Sequence, residues 1–204
     1  MTAGRRSPPL PVDRRAFLSG LGPLLLATRA DAQMASPVAV GAEDPTRELA
    51  LRRQEAALLH RKVDLRGVQM LRGGQAINVQ PPVAYLLIVH IWAVECRPCI
   101  EELPILRRIT ESLNRMSQVK IVLISETRDL ALLNRFLREQ AGNVPRVEQF
   151  QRVDERLRGS LQNDTQPTTL FLDALGVVRQ AFLGSLKNRR SEFVDAISRM
   201  TRSL

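Results

Sequence analysis

His90-Ile-Trp-Ala-Val-Glu-Cys-Arg-Pro-Cys-Ile-Glu-Glu-Leu-Pro104 holds both cysteines of a 204-residue chain and its single tryptophan. Within it a strand pattern gives way to a helix pattern. On the N-terminal side, Tyr85 to Trp92 is a near-continuous apolar run of strand length, which predicts a central strand covered on both faces. On the C-terminal side, Cys99 to Met116 carries Ile100, Leu103, Leu106, Ile109 and Leu113 at spacings of three and four, the stripe of an amphipathic helix. The cysteines are thus expected where a strand ends and a helix begins.

That place has chemical consequences. The first turn of a helix presents unpaired N–H groups and a partial positive charge, and both stabilise a thiolate. Cys96, before or at the helix start, is the better nucleophile candidate. Cys99, one turn further on, is expected to be shielded and placed to attack a mixed disulfide on Cys96. Pro98 fits a first turn, where its missing N–H costs nothing. Arg97 favours the thiolate, whereas Glu95, Glu101 and Glu102 oppose it.

A structural staple across two intervening residues would close too small a loop to stabilise much, so the spacing favours a redox role. A metal site would need two ligands besides the thiolates. The only histidines are poor candidates: His60 falls on a predicted charged helix over Thr46–Lys62, and His90 lies inside the buried strand. His60 is read as a surface residue and His90 as a satisfied core residue.

The segment from Trp92 to Pro104 resembles the active-site segment of thioredoxin-fold proteins. The acids and proline after its second cysteine are similar to the TlpA/ResA branch of bacterial envelope thiol-disulfide oxidoreductases. A second stretch, Gln166-Pro-Thr-Thr-Leu-Phe-Leu-Asp-Ala-Leu-Gly176, resembles the cis-proline loop of that family in order and separation. The resemblance spans roughly residues 63–201, about one domain. It implies an α/β, thioredoxin-like three-layer α/β/α sandwich in which Pro167 lies against the redox cysteines and Gln166 pairs with the backbone of a partner. It also implies that Glu102, three places after Cys99, handles a proton for that cysteine; the alternative is a surface carboxylate that helps the helix N-terminus. Two positions depart from the family pattern. Glu95 stands where an aromatic residue is usual, and Gln166 where an apolar residue or threonine is usual. With Trp92, Arg97 and Pro98 they make up the region expected beside a bound partner, Trp92 as packing rather than chemistry.

The N-terminus reads as targeting rather than fold. Arg14-Arg15-Ala-Phe-Leu18 precedes a mild apolar stretch that ends at Ala30-Asp-Ala32, which predicts an export signal over residues 1–32, similar to the twin-arginine type, with cleavage after Ala32 or retention as a tether. Residues 33–62 are expected to be a linker and lead-in helix, and 63–204 the domain. The formal charge of +9 falls to +6 without the first 32 residues. Arginines make up 27 of the 30 basic residues and are scattered, with no stacking aromatic array, so nucleic acid is not an expected partner.

Further along, Val68–Val79 around Gly73-Gly74 reads as a hairpin, Val119–Ser125 as a second buried strand and Asp129–Gln140 as a helix capped by Thr127. Residues 144–153 read as an irregular crossing and 154–161 as a short helix. Thr168–Leu172 with Val177–Leu183 reads as an antiparallel hairpin, and Ser191–Thr201 as a closing helix with Phe193, Val194, Ile197 and Met200 inward. This order gives a three-layer sandwich with a mixed sheet. The expected function is disulfide exchange with partner proteins, as a reductant, outside the cytoplasm and supplied by a membrane electron donor or acceptor. No cofactor is implied beyond the redox-active Cys96–Cys99 pair. The alternatives are a thioredoxin-like binding module without turnover, a copper-handling protein that uses the two thiols, and a peroxidase.

Overall fold

The computed structural model describes residues 44–113 and 115–202. The expected export signal and the linker up to residue 43 lie outside the described residues. Helix α1 (Pro45–Leu58) comes first, capped by Asp44, whose side chain accepts the Thr46 N–H at 2.9 Å. Strands β1 (Val68–Arg72) and β2 (Gln75–Ile77) form the hairpin, with Gly73 and Gly74 at φ +57° and +81° in its turn. There follow β3 (Leu86–Trp92), α2 (Arg97–Leu113), β4 (Val119–Ser125), α3 (Leu130–Glu139), β5 (Glu148–Arg152), α4 (Arg156–Leu161), β6 (Thr168–Asp173), β7 (Val178–Leu183) and α5 (Arg190–Arg202). The strands make one mixed sheet in the order β2-β1-β5-β4-β3-β6-β7, in which β4 runs parallel to both β3 and β5 and every other pairing is antiparallel.

Strand β3 is central, and all seven of its residues are buried. Alternation divides them between two cores. Leu86, Ile88 and Trp92 pack with Leu103 and Leu106 of α2, Leu133 of α3 and Phe193 of α5. Leu87, Val89 and Ile91 pack with Leu58 of α1 and Leu157 and Leu161 of α4. Helices cover both faces, which is why the strand reads as an unbroken apolar run. The same parity turns His90 toward α2.

Four expectations need correction. Residues 148–152 form a strand; only Phe150 among them is a large buried apolar residue, so the apolar signal was missing. The cap of α3 is Asp129, whose Oδ1 accepts the N–H groups of Ala131 and Leu132, and not Thr127, which is used elsewhere. Val194 is exposed and Ala196 takes the inward place on α5 beside Phe193 and Ile197, as a 3.6-residue period requires. Helix α1 ends at Leu58, so His60 lies in the turn beyond it at φ +66°.

Candidate active site

Cys96 precedes the first residue of α2, and its carbonyl accepts the Ile100 N–H at 3.2 Å. It is joined to Cys99 by a disulfide with an S–S distance of 2.05 Å. The Cys99 N–H points at Cys96 Sγ at 3.3 Å, one of the unpaired donors of the first turn directed at the sulfur. Cys96 is half-buried and Cys99 fully buried, so the two sulfurs differ in access as the sequence predicted. Pro98 is exposed in the first turn. Arg97 pairs with Glu101 at 3.0 Å on the surface. Glu95 is turned aside: Thr127 accepts the Val94 N–H at 2.8 Å and donates its own hydroxyl to Glu95 Oε2 at 2.9 Å. Thr127 therefore fixes the approach to the cysteines instead of capping a helix.

The Gln166–Pro167 peptide is cis, and the Pro167 carbonyl accepts the Gly184 N–H at 2.9 Å. Gln166 is half-buried, with its side-chain amide directed at Glu126. A groove of about 370 Å³ is lined by Pro98 of the cysteine loop, by Gln166, by Gly184 and Ser185 after β7, and by Arg47 and Leu51 of α1. The two stretches singled out in the sequence thus share one surface. Helix α1 walls that surface, a part for which its charged, weakly patterned sequence gave no signal. Trp92, counted in sequence among the residues beside a partner, is fully buried against Phe136, with ring centroids 5.5 Å apart. It packs beneath the site and has no surface to offer.

Glu102 is fully buried, which rules out the surface-carboxylate reading. Its Oε2 accepts the Leu186 N–H at 2.7 Å and the Ser185 hydroxyl at 3.1 Å. Burial, only partly opposed by those two bonds, pushes its carboxyl up to about 7. Oε1 lies 3.4 Å from His90 Nε2. Burial pushes His90 down to about 3, and its Nδ1 sits 2.9 Å from Thr169 Oγ1. His90 is therefore not the fully satisfied core residue expected, since one nitrogen faces Glu102. No group of three or more His, Cys, Asp or Glu side chains suited to a metal ion occurs among the described residues.

No protein-family model matches the chain, and no curated protein matches it in sequence. Solved structures do match in shape. A candidate thiol:disulfide interchange protein DsbE from Chlorobium tepidum superposes with a TM-score of 0.56 at 16% identity, covering 68% of this chain and 96% of its own. An uncharacterized thioredoxin-like protein from Porphyromonas gingivalis gives 0.54 at 14% identity, covering 71% and 94%. The chain has a thioredoxin fold. A secreted Mycobacterium tuberculosis disulfide oxidoreductase, described as homologous to E. coli DsbE, gives 0.50 at 14% identity, covering 69% and 97%.

On this thioredoxin fold the pairing of Ile91 with Thr168 sets the cysteine loop and the Gln166–Pro167 loop at the same end of the sheet, Pro98 and Gln166 line one groove, Glu95 and Arg97 are exposed, and Glu102 is buried on α2. His90 was missed as a site residue. The signal that would have found it was parity: it shares a strand face with Leu86, Ile88 and Trp92, the face that α2 covers, and α2 carries a carboxylate on its own buried side. The buried Glu126 behind Gln166 was missed as well, because a lone acid at a strand end carries no pattern.

Proposed function

We propose that this chain exchanges disulfides with partner proteins through Cys96 and Cys99. The observation that carries the reading is the cysteine pair at the start of α2, one sulfur reachable and one enclosed, beside a groove shared with the Pro167 loop. In the reducing direction the Cys96 thiolate attacks one sulfur of a partner disulfide, and the other partner sulfur leaves with the electron pair of that bond. Cys99, once deprotonated, attacks Cys96 Sγ and expels the remaining partner sulfur; the Cys96–Cys99 bond closes and two electrons have passed to the partner. The reverse direction uses the same atoms.

Glu102 lies one turn beyond Cys99 on the same face of α2 and is the group that takes the Cys99 proton. A carboxyl at about 7 exists in both forms near neutrality, as an acid that must also act as a base requires. Gln166 pairs with the partner through its backbone, and Glu95, Arg97 and Pro98 meet it at the rim. The TlpA/ResA resemblance, the export-like N-terminus and the secreted structural relative support a place outside the cytoplasm and recharging by a membrane electron donor. The family's reductant role extends the reading to apocytochrome c or metal-site thiols as partners.

The test uses reduced full chain and a disulfide-bonded peptide. Cys99→Ser should accumulate a mixed disulfide on Cys96, visible as an added mass that dithiothreitol removes, while Cys96→Ser accumulates none. Absence of the adduct in Cys99→Ser, or its presence in Cys96→Ser, overturns the assignment.

A further inference from the structure

His90 and Glu102 are fully buried titratable side chains that meet between β3 and α2. Each has one polar atom with a partner and one without. Thr169 on β6 occupies His90 Nδ1, and Ser185 and Leu186 after β7 occupy Glu102 Oε2. The remaining atoms, His90 Nε2 and Glu102 Oε1, have no other partner among the described residues and face each other at 3.4 Å.

Two lone pairs cannot face each other in an enclosed space without leaving both unsatisfied. A proton must lie between them. An imidazolium and a carboxylate would place two full charges where no other charge neutralises them and where burial opposes both. A neutral pair needs neither charge. Oε2 already accepts two donors, so the carboxyl hydrogen belongs on Oε1, and the imidazole must then keep its own hydrogen on Nδ1, where the Thr169 hydroxyl oxygen can accept it.

We propose that His90 is a positioning residue that holds the Glu102 proton on Oε1, as a neutral imidazole with Nδ1–H toward Thr169 and Nε2 as the acceptor. Ionising Glu102 would set a carboxylate against the Nε2 lone pair, so His90 raises the proton affinity of its neighbour. Among the described residues, the groups that face Glu102 in the disulfide form are neutral: His90 from β3 with Thr169 of β6 behind it, and Ser185 and the Leu186 N–H from the loop after β7. On α2 itself, Glu101 is exposed and paired with Arg97, and Cys99 titrates only after reduction. The consequence for exchange rests on the role given to Glu102 above. When the Cys96–Cys99 bond is opened by a partner thiolate, Cys99 leaves with the electron pair of the bond and takes the Oε1 proton. When the bond closes, Glu102 takes that proton back.

The test begins on the unaltered full chain in its disulfide form. Nitrogen-15 NMR of the His90 ring should show the neutral Nδ1–H tautomer at pH 6; an Nε2–H tautomer or an imidazolium overturns the proposal. His90→Gln, which places an amide donor near the Nε2 position, should lower the titration midpoint of the Glu102 carboxyl carbon at least tenfold in proton concentration. An unchanged or raised midpoint overturns it. The reduction potential against pH separates the two readings: the bend in its pH profile should move with that midpoint. If the tautomer and midpoint behave as expected and the bend stays in place, the pair stands and the role of Glu102 in exchange falls.

Discussion

Gln166, the residue before Pro167, donates its side-chain amide to the enclosed carboxylate of Glu126. Arg158 grips the same carboxylate through Nε and Nη2, and Arg152 Nε lies 3.1 Å from it. Arg158 also donates to the Asn163 carbonyl, so one buried acid ties the end of β4 to β5, to α4 and to the Pro167 loop. Among the described residues, Glu126→Ala leaves Arg158 with Asp164, 3.8 Å away, as its one countercharge. It should cost about 3–5 kcal/mol in denaturant unfolding, because an uncompensated buried charge remains. Gln166→Ala, which opens onto the groove, should cost less than about 1 kcal/mol. Equal losses would show that the acid does not anchor the loop through its arginines.

Stability against pH should reveal Glu102 directly. In the disulfide form no cysteine titrates. The folded Glu102 carboxyl, raised from 4.5 to about 7, holds a proton that the unfolded chain releases, so its contribution is lost as pH rises from about 4.5 to about 7. His90, lowered from 6.5 to about 3, acts in the opposite sense: its contribution is lost as pH falls below about 6.5 toward 3. The two trends oppose each other through the overlap of these windows. Glu102→Gln removes the first, so the stability of the variant relative to the parent should climb between pH 4.5 and 7, by an amount on the order of 3 kcal/mol. Urea unfolding at three pH values reads this, and a flat difference contradicts it.

Glu55 joins α1 to the edge of the sheet. Its Oε1 accepts the Leu183 N–H of β7 at 2.7 Å, and the carboxylate also binds Arg189, which stacks 4.8 Å from the centre of the Phe182 ring. Glu55→Ala leaves that edge N–H without its buried partner, while Arg189 keeps Glu192 at 3.1 Å. The expected cost is about 1–3 kcal/mol. Hydrogen exchange should show it as faster opening of α1 ahead of global unfolding, with β3 and β4 unchanged. Uniform acceleration across the sheet would mean that α1 is not a separable wall of the groove.

The sequence was legible wherever apolar periodicity and motif agreed. The buried strands read over Tyr85–Trp92 and Val119–Ser125, the helix after the cysteines and the closing hairpin and helix were legible from pattern, because each buries a regular face, although Tyr85 itself is exposed and lies outside β3. Strand β5 was not, since Gln151 and Arg152 are there to serve the Thr127 carbonyl and Glu126 rather than a core. Within the site the cysteines and Pro167 carried motifs. The partners of Glu102, Glu126 and Glu95 did not, because His90, Arg158 and Thr127 come from other elements and meet only once the chain is folded. Glu102 was singled out by the resemblance with its burial left open, since one carboxylate on an amphipathic helix reads as solvated until the strand behind it supplies a histidine.

The difference between the two sulfurs can be measured without a partner. Cys96 is half-buried at the helix start, with the Cys99 N–H directed at its sulfur, whereas Cys99 is fully enclosed beside Leu103 in the core. Thiol reactivity follows thiolate character and access together, and both favour Cys96. After reduction at pH 7, iodoacetamide should modify Cys96 at least about tenfold faster than Cys99. In concentrated urea the helix and the core are gone and the two rates should converge. Peptide mass mapping of a short time course resolves them, because one or two alkyl groups on the segment between Glu95 and Ile100 can be told apart by fragmentation. Faster labelling of Cys99 in the folded chain would reverse the roles assigned to the two cysteines. Equal labelling in both conditions would mean that the fold imposes no difference between them.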